Sequence, residues 1–107
     1  APILYFEEFE IFDSGLVTQN AIQRSMSEAP PIGMGRLTLP KGCVTSLDNH
    51  QVKEAWFIAN GTGRLFYQGE IERNLEPGDI VVFDSQETHI LENTGDNDMK
   101  FFSIWWN

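Results

Sequence analysis

Short β-rich runs separated by turn-forming residues are the feature that most constrains how this 107-residue chain can fold. The turns are rich in Gly, Pro, Asn and Asp, as in Glu76-Pro77-Gly78-Asp79, and each ends an extended run. Only Gln19 to Glu28 has a spacing that predicts a short helix, ended by Pro30-Pro31. Strands of this length without intervening helices predict an all-β antiparallel sandwich or barrel. The predicted strands are Ile3 to Phe12, Met34 to Leu39, Val44 to Leu47, Ala55 to Ile58, Arg64 to Gln68, Ile80 to Phe83, His89 to Glu92 and Phe101 to Trp106.

Size and charge restrict the class of protein and its partners. The length fits a single domain, 1–107, and a hydrophobic content of 41% excludes the disordered class. Sixteen acidic residues against seven basic ones give a net charge of −9, without a cluster of Lys or Arg. This charge would repel the phosphates of nucleic acids and disfavours anionic membranes, so neither is an expected partner.

The cysteine content and the N-terminus bear on location. Cys43 is the single cysteine, so an internal disulfide is excluded and a reducing compartment is compatible with the chain. The N-terminal residues lack a charged segment followed by a long apolar run, which a signal peptide would need. We therefore predict a cytoplasmic protein.

The last predicted strand, Phe101 to Trp106, bears on assembly because it carries large apolar residues at both odd and even positions. Both of its faces should be covered, which a homodimer would achieve. A central strand inside one sandwich explains the pattern equally well. The chain stops at Asn107, which suits either a standalone protein or a domain partnered with a second catalytic module.

Two segments hold the polar residues that point to chemistry. Asp48 and His50 are two residues apart, so they project from one face of an extended strand, and a short turn would let Glu54 join them. His89, in the second segment, would be the fourth ligand. Two imidazoles with one or two carboxylates suit one divalent transition metal, Zn, Fe or Mn, with Ni as a further choice. Open coordination positions would remain for water or a small-molecule substrate.

The first of these segments resembles the first motif of the cupin superfamily. That motif is a glycine, five intervening residues and His-x-His, then three residues and Glu, then six residues and Gly. Here Gly42, Asp48, His50, Glu54 and Gly61 fall at those places, with Asp48 in place of the first histidine.

The second segment resembles the second cupin motif. Gly78, His89 and Asn93 agree with it, whereas Asp84 stands for a proline and Gln86 for a glycine. The resemblance implies a double-stranded β-helix, the jelly-roll barrel of cupins, with at most one short helix. It also implies a metal site made of the four ligand candidates.

The role of Asp48 stays open. As a ligand it would give a site with two histidines and two carboxylates. As a non-ligand it would leave His50, Glu54 and His89 as a facial triad, with Asp48 bonded to a metal-bound water. Many cupins have lost their metal, but inward-pointing carboxylates need a cation to offset the cost of their burial, which favours an intact site.

Three further residues are candidates for the substrate pocket, namely Trp56, Tyr67 and Asn93. Trp56 shares the strand parity of Glu54 and could form a pocket wall, although a core aromatic is the commoner outcome. Tyr67 and Asn93 could orient a substrate.

The resemblance implies a metal-dependent enzyme that uses its metal as a Lewis acid, with Glu54 or Asp48 as base. Dioxygenation, isomerisation and non-redox lyase or rearrangement chemistry remain open. The Phe-Phe-Ser-Ile-Trp-Trp ending is similar to the cupin module of hydrazine synthetases, in which zinc would assist formation of an N–N bond. The alternatives are a non-catalytic module that binds or senses a sugar or small acid, and a structural or storage protein.

Overall fold

The computed structural model describes residues 4–23 and 32–107. Nine strands form two antiparallel sheets, and the described residues contain no helix, which confirms the all-β prediction. No helix there could therefore cross a membrane. The strands are β1 (Leu4–Ile11), β2 (Val17–Gln23), β3 (Gly33–Leu39), β4 (Lys53–Asn60), β5 (Gly63–Tyr67), β6 (Ile71–Leu75), β7 (Ile80–Phe83), β8 (His89–Asn93) and β9 (Met99–Trp106).

The sheets pack on one core. One sheet has six strands in the order β1-β2-β3-β9-β4-β7, and the other has three in the order β6-β5-β8. Alternate residues of each strand point inward, so β9 buries Met99, Phe101 and Ser103 and turns the residues between them outward. The apolar core draws on both sheets and consists of Leu39, Trp56, Ile58, Leu65, Leu75, Phe83, Leu91, Met99 and Phe101.

The predicted helix over 19–28 is wrong for its first half, and its remainder lies outside the described residues. Residues 19–23 belong to β2, which pairs with β1 on one side and β3 on the other. The whole segment pairs with β1, and Gln19 and Asn20 pair with β3 as well. Such tertiary pairing overrides a weak helical propensity.

One predicted strand is wrong, and one observed strand was not predicted. The 44–47 segment forms no strand: isolated bridges join Val44 to Glu92 and Asp48 to His89, while the Thr45 hydroxyl accepts the Leu91 amide. In a regular β-ladder the Leu91 amide would donate to a backbone carbonyl, whereas here it donates to the Thr45 hydroxyl. The strand Ile71–Leu75 was not predicted, because it is an edge strand whose three central residues are exposed and polar.

Candidate metal centre

Backbone pairing brings the two polar segments together. Asp48 lies in the loop before β4, and its amide and carbonyl form hydrogen bonds of 3.1 and 2.9 Å with the carbonyl and amide of His89, the first residue of β8. His50 follows two residues later, and its carbonyl accepts the Gln86 amide at 2.6 Å. Three candidate ligands from two distant segments of the chain therefore meet at one place.

The geometry of Asp48, His50 and His89 fits a metal centre. One side-chain donor atom from each lies within 4.8 Å of the others, and Asp48 Oδ2 is 3.3 Å from His50 Nε2. Ligands of one transition metal at about 2.2 Å from the ion are at most about 4.4 Å apart, so a small contraction would suffice. The exposed side chains of Asp48 and His50 can supply that movement, whereas His89 is 5% exposed.

His89 is held as a metal ligand requires. Its Nδ1 lies 3.2 Å from the carbonyl oxygen of Glu87, which can only accept, so Nδ1 carries the proton and Nε2 keeps a free lone pair in the neutral ring. The ring stacks on Phe83 at 4.5 Å between centroids and meets Trp56 edge-on at 5.3 Å. Packing and hydrogen bonding thus fix its orientation.

Glu54 lies beside this cluster, with one carboxylate oxygen occupied and the other free. Ser103 Oγ donates to Oε2 at 2.5 Å. Oε1 is buried, has no hydrogen-bond partner among the described residues, and lies 3.9 Å from His89 Nε2. A buried carboxylate oxygen without a partner is costly, and a bound cation would satisfy it. Two imidazoles and up to two carboxylates therefore fit a divalent transition metal, with Glu54 as the candidate fourth ligand.

Ser103, which the sequence reasoning did not single out, supports Glu54. Ser103 is 2% exposed on β9 and pairs with Trp56 on β4. Because its hydroxyl donates to Oε2 of Glu54, Oε1 is the carboxylate oxygen left free on the side of His89. The Ser103→Ala variant is expected to bind Mn²⁺ or Zn²⁺ about 10- to 100-fold more weakly in calorimetric titrations, because Glu54 loses its orienting donor. The exposed cavity residue Ser46 supplies a control, and an affinity for Ser103→Ala equal to that of Ser46→Ala would contradict this role.

Two adjoining cavities open at the cluster, with volumes of about 260 and 290 Å³. The residues they share are Phe12, Leu16, Leu37, Asp48, His50 and Glu54. Neither cavity is lined by a Lys or Arg among the described residues. A ligand carboxylate would therefore take its counter-charge from a bound metal, and the volumes suit a small molecule.

The three predicted pocket residues lie in different places. Trp56 lines the first cavity beside His89. Tyr67 faces a different cavity, lined by Arg73, Asn74 and Glu87 among others. Asn93 is 3% exposed, and its side chain is engaged in hydrogen bonds. Its amide nitrogen donates to the carbonyls of Leu39 and Asn97, and its amide oxygen accepts from the Gly95 amide. The geometry therefore supports a pocket position for Trp56 and gives no support for Tyr67 or Asn93.

One of the two departures from the second cupin motif, Gln86, has a backbone consequence, and a glutamine outside the motif shares it. Gln86 stands where the motif has glycine, and it adopts a left-handed conformation with φ of 66°. Gln68, at the tip between β5 and β6, has φ of 52°. A side chain is strained there, whereas glycine is not.

The Gln86→Gly and Gln68→Gly variants are therefore expected to raise the free energy of unfolding by about 0.5–1 kcal/mol each, measured by denaturant titration in chelator. Gln51→Gly is the matched control, because Gln51 has no positive φ, and it is expected to destabilise the protein. A loss of stability in all three variants would show that the left-handed strain is absent.

Comparisons with known proteins agree with this architecture. The family model described as "Cupin domain" matches residues 35–105. The oxalate-binding protein of Thermotoga maritima is 33% identical over 70 residues, which make up 64% of this chain and 57% of that protein, so the match spans less than two thirds of the relative.

Two solved structures superpose on most of the chain. A Cupin 2 conserved barrel domain protein from Salinispora arenicola has a TM-score of 0.80 at 20% identity, covering 94% of this chain and 82% of that one. A predicted oxalate decarboxylase from Thermotoga maritima has a TM-score of 0.72 at 26% identity, covering 92% and 90%. The jelly-roll barrel implied by the two sequence motifs is confirmed.

Proposed function

This chain belongs to the cupin family, and we propose that it is a metal-dependent enzyme that acts on a small molecule with oxygen donors, such as a short carboxylic acid. One observation carries the proposal: Asp48, His50 and His89 converge at a cavity mouth where a buried oxygen of Glu54 has no hydrogen-bond partner in the described part of the chain. Zinc, iron and manganese are the metals that this ligand set suits.

The names of two relatives support the substrate class. One is an oxalate-binding protein and the other a predicted oxalate decarboxylase, and both come from Thermotoga maritima. A cavity of about 260 Å³ accommodates a molecule of that size, and no Lys or Arg among the described residues lines it, so a metal would be the natural counter-charge for a carboxylate. The narrower hypothesis of a hydrazine-synthetase type reaction gains no support from these relatives and stays a prediction.

The position of each side chain at the site indicates the role that it would have. Asp48, His50 and His89 would hold the metal, which supplies Lewis-acid polarisation of a substrate oxygen when bound. Glu54 or Asp48 would act as the base that takes up a proton. Asp48 is the more exposed of the two and can reach solvent, whereas Glu54 accepts a hydrogen bond from Ser103. Trp56, Phe12 and Leu37 would exclude water from the apolar side of the substrate.

A second candidate function is binding without turnover. It is favoured by the name of the oxalate-binding relative. In that case the same metal and cavity would capture a small acid, and neither carboxylate would need to act as a base.

Calorimetric titration of oxalate and longer dicarboxylates into Mn²⁺-loaded and chelator-treated protein tests the proposal. Binding is expected only to the loaded protein. Incubation with release of CO₂ or loss of the acid as the readout then separates turnover from binding. Equal binding to the chelator-treated protein would contradict a metal-dependent site.

A further inference from the structure

Trp105 forms an aromatic wall of the second cavity, which opens at the metal cluster beside the first. The strand β3 has glycines at 33 and 35, where this indole lies against it. A Cβ added to Gly33 would stand 2.0 Å from Nε1 and Cε2 of Trp105, and one added to Gly35 would stand 3.2 Å from its Cζ3. The indole therefore occupies the space of two missing side chains, while it remains half-buried and lines the cavity.

The position of Trp105 in the sheet places it directly beside the candidate ligands. Trp105 pairs with Glu54 across β9 and β4, and cross-strand partners have Cβ atoms about 4.5–5.5 Å apart. Glu54 lines the same cavity, is 9% exposed, and its Oε1 has no hydrogen-bond partner among the described residues. A molecule bound through a metal at this place would therefore extend over the indole into the second cavity.

The charge of the second cavity indicates what such a molecule carries at its other end. Glu10, Asp48, His50 and Glu54 line this cavity, and no Lys or Arg in the described part of the chain does. A dication held by Asp48 and Glu54 would offset their charges, and Glu10 would remain as a negative charge of the wall. The face of an indole also attracts cations, quaternary ammonium groups in particular. Both features favour a cationic group in this cavity.

We propose that the substrate is a carboxylic acid that also carries a cationic group, such as an amino acid or a betaine, and that Trp105 and Glu10 bind the cation. The inference rests on the proposed function, because the bound metal would hold the carboxylate of the same molecule. A dicarboxylic acid would instead bring a second negative charge to an acidic wall in which no described Lys or Arg pairs with it.

Calorimetric titration of two acids of equal shape into Mn²⁺-loaded protein tests this assignment. The acids are 4-(trimethylammonio)butanoate and its isostere 5,5-dimethylhexanoate, in which a carbon replaces the charged nitrogen. The wild type is expected to bind the cationic acid about 10-fold more tightly, because the indole and Glu10 favour the charge. Trp105→Leu is expected to remove most of this selectivity, and Glu10→Gln is expected to reduce it about 3-fold.

Trp106→Leu is the matched control, because Trp106 is also half-buried but lines neither cavity. It is expected to keep the wild-type selectivity, and circular dichroism checks that the three variants fold. Equal or tighter binding of 5,5-dimethylhexanoate by the wild type would overturn the cation site and leave the metal-dependent enzyme in place. Unchanged selectivity in folded Trp105→Leu and Glu10→Gln would do the same. Failure of both acids to bind, or equal binding of both in chelator, would contradict the proposed function and this inference with it.

Discussion

Replacing either histidine by alanine is expected to abolish the stabilisation of this protein by divalent metal. A metal that binds only the folded state adds about 4 kcal/mol to the free energy of unfolding at a concentration 1000 times its dissociation constant. His50→Ala and His89→Ala each remove a nitrogen ligand from a three-residue cluster, so the melting temperature of either variant should no longer respond to Mn²⁺ or Zn²⁺.

The two histidine variants should differ when no metal is present. His50 is 41% exposed, so its loss is expected to change the stability in chelator by less than about 0.5 kcal/mol. His89 is buried against Phe83 and Trp56, so its loss leaves a cavity and is expected to cost about 2–3 kcal/mol. Differential scanning fluorimetry with and without metal measures both effects.

Asn49→Ala is the control for these variants, because Asn49 lies between two candidate ligands but does not belong to the cluster. Its response to metal is expected to equal that of the wild type. A His50→Ala variant that keeps the full metal response would remove His50 from the ligand set.

Replacing Glu54 by glutamine is expected to change stability and metal affinity in opposite directions. Without metal, Glu54 Oε1 is buried beside His89 Nε2, and none of the residues that the structure describes donates a hydrogen bond to it. The glutamine side chain has the same size, can still accept from Ser103, and would turn its amide protons towards the lone pair of His89. We expect the variant to be about 1–3 kcal/mol more stable than the wild type in chelator.

With metal present, the same substitution should weaken binding about 100-fold, since a neutral amide is a poorer ligand for a dication than a carboxylate. Glu10→Gln removes an equal charge from the wall of the second cavity and is the matched control. Denaturant titration in chelator and calorimetry with Mn²⁺ give the two readings. A Glu54→Gln variant that loses stability in chelator and binds metal normally would mean that the carboxylate serves the fold alone.

The amino-acid sequence predicts the strands and the metal cluster to different degrees. Turn residues and alternating apolar residues predicted β7 and much of β3, β4, β5, β8 and β9, because these strands bury one face. The strand β2 was not recognised, since its pairing with β1 and β3 is a long-range property that local propensity does not contain. The strand β6 lacked the pattern for a different reason: it lies at the edge of its sheet in the described structure, and its three central residues are exposed and polar.

At the site, motif spacing brought Asp48, His50, Glu54 and His89 into consideration together. The spacing could not predict that Glu54 gives one oxygen to Ser103, because Ser103 lies 49 residues further along the chain and reaches Glu54 only through the pairing of β4 with β9. The available signal was a serine at an inward position of β9, where the other inward positions are apolar. Asn93 occupies the position that the motif predicts, but its side-chain hydrogen bonds stabilise a turn.

Anomalous diffraction from crystals soaked with one equivalent of Mn²⁺ tests the metal centre most directly. We predict a single strong peak at bonding distance, about 2.0–2.2 Å, from His50 Nε2 and His89 Nε2 and from oxygens of Asp48 and Glu54. A peak that contacts only the two histidines and Glu54 would remove Asp48 from the ligand set. An absent peak, or one at another place in the molecule, would contradict the assignment of this cluster as a metal site.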